Sequence, residues 1–342
     1  MIHHSLPTLP KSHLLEVQKL LKSGMIANGV KCLEFKKIIG SYFNSNHILL
    51  TNSGTSAIFV ALKILKTSKK EIILPTYACK DLFEAIQIAG YTPILCDVEE
   101  NWNVGFNSVK SKVTKNTAAV IVTHSLGICA NVLEIKKLGI PIIEDCCQSL
   151  GSRYHNKLSG KMGDITVLSF NATKCLTTGE GGSVIINSTN LVRKYDFNLV
   201  YEHAFRMSDL QAVLGIQQFN DYGKFLAKRK EIANFYFKNI DNPLTEKFNV
   251  SKSQSNYFRF LLFSNTNFEK IKTEFQKKNI SVRKGIDSLL HRNYKVSTDK
   301  EFPNSVHHFN NTISIPIYPS LNLADAKLVS NSINNYFDGS YN

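Results

Sequence analysis

Between residues 47 and 146, short apolar runs and helix-patterned runs take strict turns, and this alternation restricts the fold more than any other feature of the chain. HILLT (47–51), EIILP (71–75), TPILCDV (92–98), AAVIVTHS (118–125) and IPIIEDC (140–146) read as strands. SAIFVALKILK (56–66), KDLFEAIQIA (80–89) and NVLEIKKL (131–138) separate them with helical spacing. Strands that are apolar on consecutive residues must be covered on both faces. The pattern therefore predicts an α/β fold, a mostly parallel mixed sheet with helices on both faces. DITVLSF (164–170) and GSVIIN (182–187) follow one another with no helix between them, which predicts a hairpin or antiparallel edge in that sheet. A helical rhythm behind a serine cap covers 12–23, and a long helical segment from about 207 to 238 leaves the sheet. Strand-like YFRFLLFS (257–264) and helices at 268–278 and 323–337 read as a smaller α+β C-terminal domain. The expected division is a large domain over 1–225 and a small one over 226–342.

Ligands of a doubly wound sheet bind beyond the carboxyl ends of its strands. Three stretches carry chemistry there. TNSGTSA (51–57) follows a strand and opens a helix, so Ser53, Gly54 and Thr55 offer amides and hydroxyls to a phosphate. The same residues would serve as an ordinary helix cap. IIEDCCQS (142–149) ends a buried strand on Glu144 and Asp145, with Gln148 three residues further on. A carboxylate in that position needs a partner, either a cationic ring nitrogen or backbone amides and an arginine. SFNATKCLTTGEGG (169–182) closes a strand at Ser169 and places Lys174 five residues later among uncharged neighbours, with a glycine-rich turn behind it. It lacks the spacing of a nucleotide P-loop. Partial burial would suit Lys174 to Schiff-base chemistry. Together, a phosphate seat, a carboxylate for a ring nitrogen and a lysine for an aldehyde are what pyridoxal phosphate (PLP) requires.

Composition sets the remaining bounds. A chain of 342 residues with 43% hydrophobic residues can bury a core without disulfides. Seven cysteines, two of them adjacent and none in a CxxC pair, fit reduced thiols better than a disulfide framework or a zinc site, so no metal is expected. The first residues lack the pattern of a secretory signal, and the apolar runs are too short to span a membrane. A cytoplasmic protein is expected. Lysine and arginine outnumber acids 41 to 27, for a formal charge of +14, but they are scattered rather than blocked or striped. That distribution suits small anionic ligands and argues against nucleic acid.

The chain resembles PLP-dependent nucleotide-sugar aminotransferases of the DegT/DnrJ/StrS type, of fold type I. The resemblance is carried by LKSGMIANGVKCLEFKK (21–37), SGTSAIFVAL (53–62), LPTYACKDLFEAIQIAGYTPILCDV (74–98), THSLG (123–127), EDCCQSLGS (144–152), GDITVLSFNATKCLTTGEGGSV (163–184), FRMSDLQAVLGIQQF (205–219) and FPNS…ISIPIYPSLN (302–322). It implies that Lys174 forms the Schiff base with PLP and moves the substrate proton. It further implies that Asp145 pairs with the ring nitrogen, that Gln148 bonds the ring hydroxyl, and that Gly54, Thr55 and Ser169 hold the phosphate. Tyr77 would stack on the ring and Glu180 would support the site. His291, in DSLLHRNY (287–294), is a substrate-site candidate by a loose match. The implied reaction moves an amino group from an amino acid, glutamate first, to a nucleotide-linked keto sugar, in a homodimer. Retention of Lys174 sets the chain apart from the dehydratase branch of the family, in which a histidine replaces it.

Two departures stand out. Ala204 occupies the position where the family usually has an asparagine that reaches the partner subunit's cofactor phosphate, with His203 beside it. The connection LVRKYDFNLVYEHAF (191–205) is shorter than the family's. They motivate an alternative reading, a PLP-binding family member with altered or lost catalysis that serves as a regulatory or assembly protein.

Overall fold

Seven of the predicted runs assemble side by side in a computed structural model that describes residues 1–194, 203–240, 242–245 and 253–338. The strands are β1 (Ile48–Thr51), β2 (Glu71–Pro75), β3 (Thr92–Cys96), β4 (Thr117–Thr123), β5 (Ile142–Asp145), β6 (Ile165–Ser169) and β7 (Gly182–Ile186). Their spatial order is β1-β7-β6-β5-β4-β2-β3, and only β7 runs antiparallel to its neighbours. The predicted hairpin of β6 and β7 is present, but β7 lies inside the sheet, because β1 pairs with its outer edge.

The continuous apolar character of these strands follows from burial on both faces. In β4, Ala119 and Ile121 face one core, while Val120 and Val122 face another. In β2, Ile72 and Leu74 share the first core and Ile73 joins the second. Helices α3 (Gly54–Ile64) and α4 (Lys80–Ile88) bury Ala57, Ala61, Leu82 and Ile86 in the first. Near β1 and β7, α2 (Val30–Phe43) and α5 (Asp209–Asn220) supply Phe35, Ile39, Ala212 and Ile216 to a third cluster.

Three local expectations are revised. The first helix, α1 (Lys11–Ser23), begins one residue before Ser12 and has no side-chain cap. The long helical segment breaks at Asp221 into α5 and α6 (Tyr222–Asn239), where the Asp221 carboxylate bonds His13 at 2.9 Å. The stretch 131–138 is one α-helical turn followed by a 3₁₀ turn.

The N-terminus of α2 is capped from a distance. Asp209, at the start of α5, accepts hydrogen bonds from the amides of Gly29, Lys31 and Cys32 at 2.9, 3.1 and 2.8 Å. Burial alone would raise the Asp209 pKa, but these amide bonds outweigh it and hold the carboxyl below its ordinary value.

The C-terminal part builds a second, antiparallel sheet of β8 (Phe260–Phe263), β9 (Arg283–Lys284) and β10 (Thr312–Ile315), in the order β8-β10-β9. Helices α7 (Phe268–Lys277) and α8 (Leu323–Phe337) cover it through Ile271, Phe275, Val329 and Ile333. Among the described residues, no helix is long and apolar enough to cross a membrane.

Candidate active site

The carboxyl ends of β1, β2, β4, β5 and β6 open into one cavity of about 500 Å³. Its far wall comes from the C-terminal part, at Phe258, Arg259 and residues 283–288. Ser53, Gly54, Thr55, Tyr77, Asp145, Gln148, Ser169, Lys174 and Glu180 all line it. Nine residues spread over 128 positions of chain thus converge because the strands carrying them end on one side of a parallel sheet.

The turn after β1 presents an anion seat. Ser53 caps α3 by accepting from the Ser56 amide at 3.1 Å, so its hydroxyl is committed to the helix. The amides of Gly54 and Thr55 have no carbonyl a turn earlier to bond and remain available, together with the positive end of the helix dipole. The absence of a side chain at Gly54 is demanded by Ser169: a Cβ there would fall 2.7 Å from the Ser169 Cβ and 2.8 Å from its Oγ. Gly182 is required in the same way, since a Cβ would sit 2.4 Å from the Ser53 carbonyl oxygen. The two glycines let β6, β7 and the start of α3 close around one point, with the Ser169 hydroxyl at its rim.

The two acids at the end of β5 take different roles. Glu144 is fully buried and all its lone pairs are used. It accepts from His124 Nε2 at 2.9 Å and from the amides of Gly160 at 2.8 Å, Met162 at 2.7 Å and Gly163. The Ala130 amide donates to His124 Nδ1 at 3.0 Å, which puts the imidazole proton on Nε2. Burial pushes the Glu144 pKa up, but His124 and the glycine amides more than offset it, so the carboxyl stays below its ordinary value. Cys146 lies within 4.8 Å of this pair, yet these hydrogen bonds already account for both partners, and the grouping holds together without a metal. Asp145 instead faces the cavity. One of its oxygens accepts from the Cys147 amide at 3.0 Å, and the other has no partner among the described residues. Gln148 is oriented by the Leu126 amide, which donates to its Oε1 at 2.7 Å and leaves Nε2 as the donor toward the cavity.

Lys174 is half-buried, as its uncharged flanks predict. Its ammonium lies 5.4 Å from the centre of the Phe258 ring, and no acid forms an ion pair with it among the described residues. The two cysteines lining the cavity are poor nucleophiles beside it. Burial pushes the Cys79 thiol up to about 11, and burial together with the Asp145 charge pushes Cys147 well above its ordinary value. Three lysines line the cavity, Lys80, Lys174 and Lys284, and Lys174 is the one in the loop that follows β6.

Residues 7–334 match the model of the DegT/DnrJ/EryC1/StrS aminotransferase family. The chain belongs to that family. A UDP-4-amino-4,6-dideoxy-N-acetyl-beta-L-altrosamine transaminase of Campylobacter jejuni is 26% identical over 97% of this chain and 96% of its own. A GDP-perosamine synthase of Escherichia coli O157:H7 is 31% identical over 64% of this chain and 65% of its own. The fold agrees with that of Spr1654 of Streptococcus pneumoniae in its PLP form, at a TM-score of 0.87 and 20% identity over 100% of both chains. The protein is accordingly an aminotransferase of fold type I.

One of the family-implied residues takes another place in this member. His291 does not reach the cavity. It is fully buried, with Nδ1 2.7 Å from the Thr76 hydroxyl and Nε2 3.0 Å from Asp299. The reason is local: the His291 and Leu290 amides bond Thr76 as well, which locks the helical turn at 290–294 onto the end of β2. Tyr77 does line the cavity, but its ring is 1% exposed and its hydroxyl points at Gly285, where a Cβ would lie 2.1 Å away. Glu180 is exposed at the cavity edge and accepts from Asn171 Nδ2 at 2.7 Å. Ala204 and His203 are exposed and outside the cavity lining, and residues 195–202 of the shortened connection lie outside the described residues.

The sequence reading did not single out Phe258 and Arg259. A signal was present: an arginine inside the otherwise apolar run YFRFLLFS is a buried charge waiting for a partner.

Proposed function

We propose that this aminotransferase moves an amino group from an amino acid, glutamate first, to a keto sugar carried on a nucleotide, with PLP seated in the cavity below β1, β5 and β6. The observation that carries the reading is the convergence of three things in one cavity of about 500 Å³: the free amides at the start of α3, the half-free carboxylate of Asp145 and the unpaired amine of Lys174. PLP fits this donor set, and the Cβ-free approach of Gly54 to Ser169 is the cradle its phosphate needs. When bound, the cofactor supplies an electrophilic carbon and a ring that stores an electron pair.

The chain's own groups do the rest. The Gly54 and Thr55 amides and the Ser169 hydroxyl would hold the phosphate, Asp145 would keep the ring nitrogen protonated, and Gln148 Nε2 would donate to the ring oxygen. Tyr77 would form the wall beside the ring, and Glu180 would hold the lysine loop through Asn171. The Lys174 amine would hold the cofactor through its aldehyde carbon and would serve as the base that moves a proton at the substrate carbon. The two relatives, named for UDP- and GDP-linked sugars, favour a nucleotide-linked acceptor here, and a formal charge of +14 suits its diphosphate. A homodimer accords with the exposed apolar side chains of Leu14, Leu21, Met25, Val30 and Leu33 on α1, α2 and the segment between them; light scattering on the purified protein tests it.

The deciding experiment is the visible spectrum of the PLP-loaded protein with L-glutamate, followed by a screen of UDP- and GDP-linked keto sugars with ¹⁵N-glutamate. Loss of the yellow band and label in a sugar product support the reading. A band unchanged by every amino acid would instead favour the PLP-binding protein with altered catalysis, to which the exposed Ala204 already points.

A further inference from the structure

The wall of the cavity opposite the sheet contains a buried cation whose purpose the fold does not explain. Arg259 is 9% exposed, lines the cavity, and lies 4.6 Å from the centre of the same Phe258 ring that the Lys174 ammonium overlies. Its only hydrogen bond among the described residues is from Nη1 to His4 Nδ1, at 2.7 Å, and its Nε is buried without a partner. His4 is a neutral acceptor: Nδ1 takes the guanidinium proton, Nε2 lies 2.8 Å from the Ser314 hydroxyl, and burial with three nearby arginines holds its pKa well below the ordinary value. No carboxylate pairs with Arg259 among the described residues, while Arg283 and Lys284 add positive charge to the same wall. Burial and the neighbouring arginines lower the Arg259 pKa to about 10, so it remains charged at neutral pH.

A guanidinium withdrawn from water with a neutral imidazole as its only partner is costly unless an anion reaches it. Its planar fork is shaped for carboxylate and phosphate oxygens. The lysine beside it has another task, and Asp287, a lining acid whose charge reaches Arg259, forms no ion pair with it among the described residues.

We propose that Arg259 builds an oxyanion subsite in the active-site cavity, filled by the carboxylate of the amino-acid donor or by the diphosphate of the nucleotide-linked acceptor. The subsite rests on the proposed function for the identity of these two anions, but its existence does not depend on turnover. His4 and Phe258 act as positioning residues, one fixing the plane of the fork and the other its depth.

The test uses two unreactive probes on the PLP-loaded full chain, glutarate for the donor and UDP for the acceptor, with binding followed by titration calorimetry. Arg259→Met keeps the stem against Phe258 and removes the charge; Arg259→Lys keeps the charge and removes the fork. The Met variant should bind one of the two probes at least tenfold more weakly and leave the other within about twofold, which identifies the source of the anion. The Lys variant, which also covers the case in which the Met variant does not fold, should lose the same probe to a smaller degree. Unchanged affinity of a folded variant for both probes would overturn the subsite. If glutarate or UDP binds through Arg259 while L-glutamate leaves the spectrum of the parent protein unchanged, the transaminase reading fails and the subsite stands.

Discussion

Replacing Gly54 by alanine would test the anion seat at its narrowest point. The new Cβ falls 2.7 Å from the Ser169 Cβ and 2.8 Å from its Oγ, about 1 Å inside ordinary contact distance. Overpacking of this kind costs about 1–3 kcal/mol, and the better helix propensity of alanine returns up to about 1 kcal/mol. A net loss of about 1–2 kcal/mol is expected in urea denaturation of the cofactor-free protein. Relief of the clash requires β6 and the start of α3 to separate, which lengthens the hydrogen bonds an anion can make to the Gly54 and Thr55 amides. One such charge-assisted bond is worth about 1.5–3 kcal/mol, so PLP should bind roughly ten- to a hundredfold more weakly, as read by equilibrium dialysis. Adding Ser169→Gly removes the atoms that clash. The double variant should recover most of the stability but not the cofactor affinity, since the hydroxyl at the rim of the seat is gone. The reasoning is refuted if Gly54→Ala leaves stability and PLP affinity at parental values, or if Ser169→Gly fails to restore stability.

Lys174→Ala should abolish the borohydride-trappable link to PLP and all transamination, with mass spectrometry of the reduced protein as the check; trapping at full yield would place the link elsewhere. Glu144→Gln should destabilise the fold by about 3–5 kcal/mol in urea, because an amide NH₂ would face donors that Glu144 now satisfies. In the parent protein, the depressed Glu144 and Asp209 pKa values stabilise the fold above the unfolded carboxyl pKa of about 4, and this contribution is lost as pH falls through the lower folded values. The thermal midpoint should therefore fall steeply below about pH 4, and less steeply in Asp209→Asn, which no longer titrates. His291→Ala should lower stability by about 1–3 kcal/mol, because the Thr76 hydroxyl loses its ring partner and a fully buried ring is removed, while the KM for each substrate stays within about twofold.

The strand–helix alternation made the sheet legible, since burial on both faces leaves apolar runs that a sequence displays directly. The antiparallel β7 was legible too, through the missing helix between 170 and 182, although its place inside the sheet depended on β1 pairing with it from far away in the chain, as Thr51 does with Gly182. At the site, Ser53 through Thr55, Asp145 and Lys174 could be found because each lies at a strand end or in the turn that follows one. The partition of labour between Glu144 and Asp145 could not, because it rests on amides at 160–163 that fold back under one acid only. His291 misled for a related reason: its neighbours resemble a substrate motif, but the Thr76 hydroxyl that captures it lies 215 residues earlier. Arg259 went unnoticed because a strand pattern records apolarity and passes over the exception to it.

The loop that carries Lys174 is closed at its ends by its own backbone and braced from outside by Gln211, whose Nε2 donates to the Glu180 carbonyl at 2.6 Å. The Phe170 amide bonds the Gly181 carbonyl at 2.8 Å, the Thr178 amide bonds the Phe170 carbonyl at 2.9 Å, and the Thr177 hydroxyl bonds it at 3.1 Å. The Lys174 side chain takes part in none of these bonds. The residue on which the chemistry depends is thus one that the architecture does not use, and a lineage could exchange it, and the reaction with it, without first having to rebuild the protein around the change.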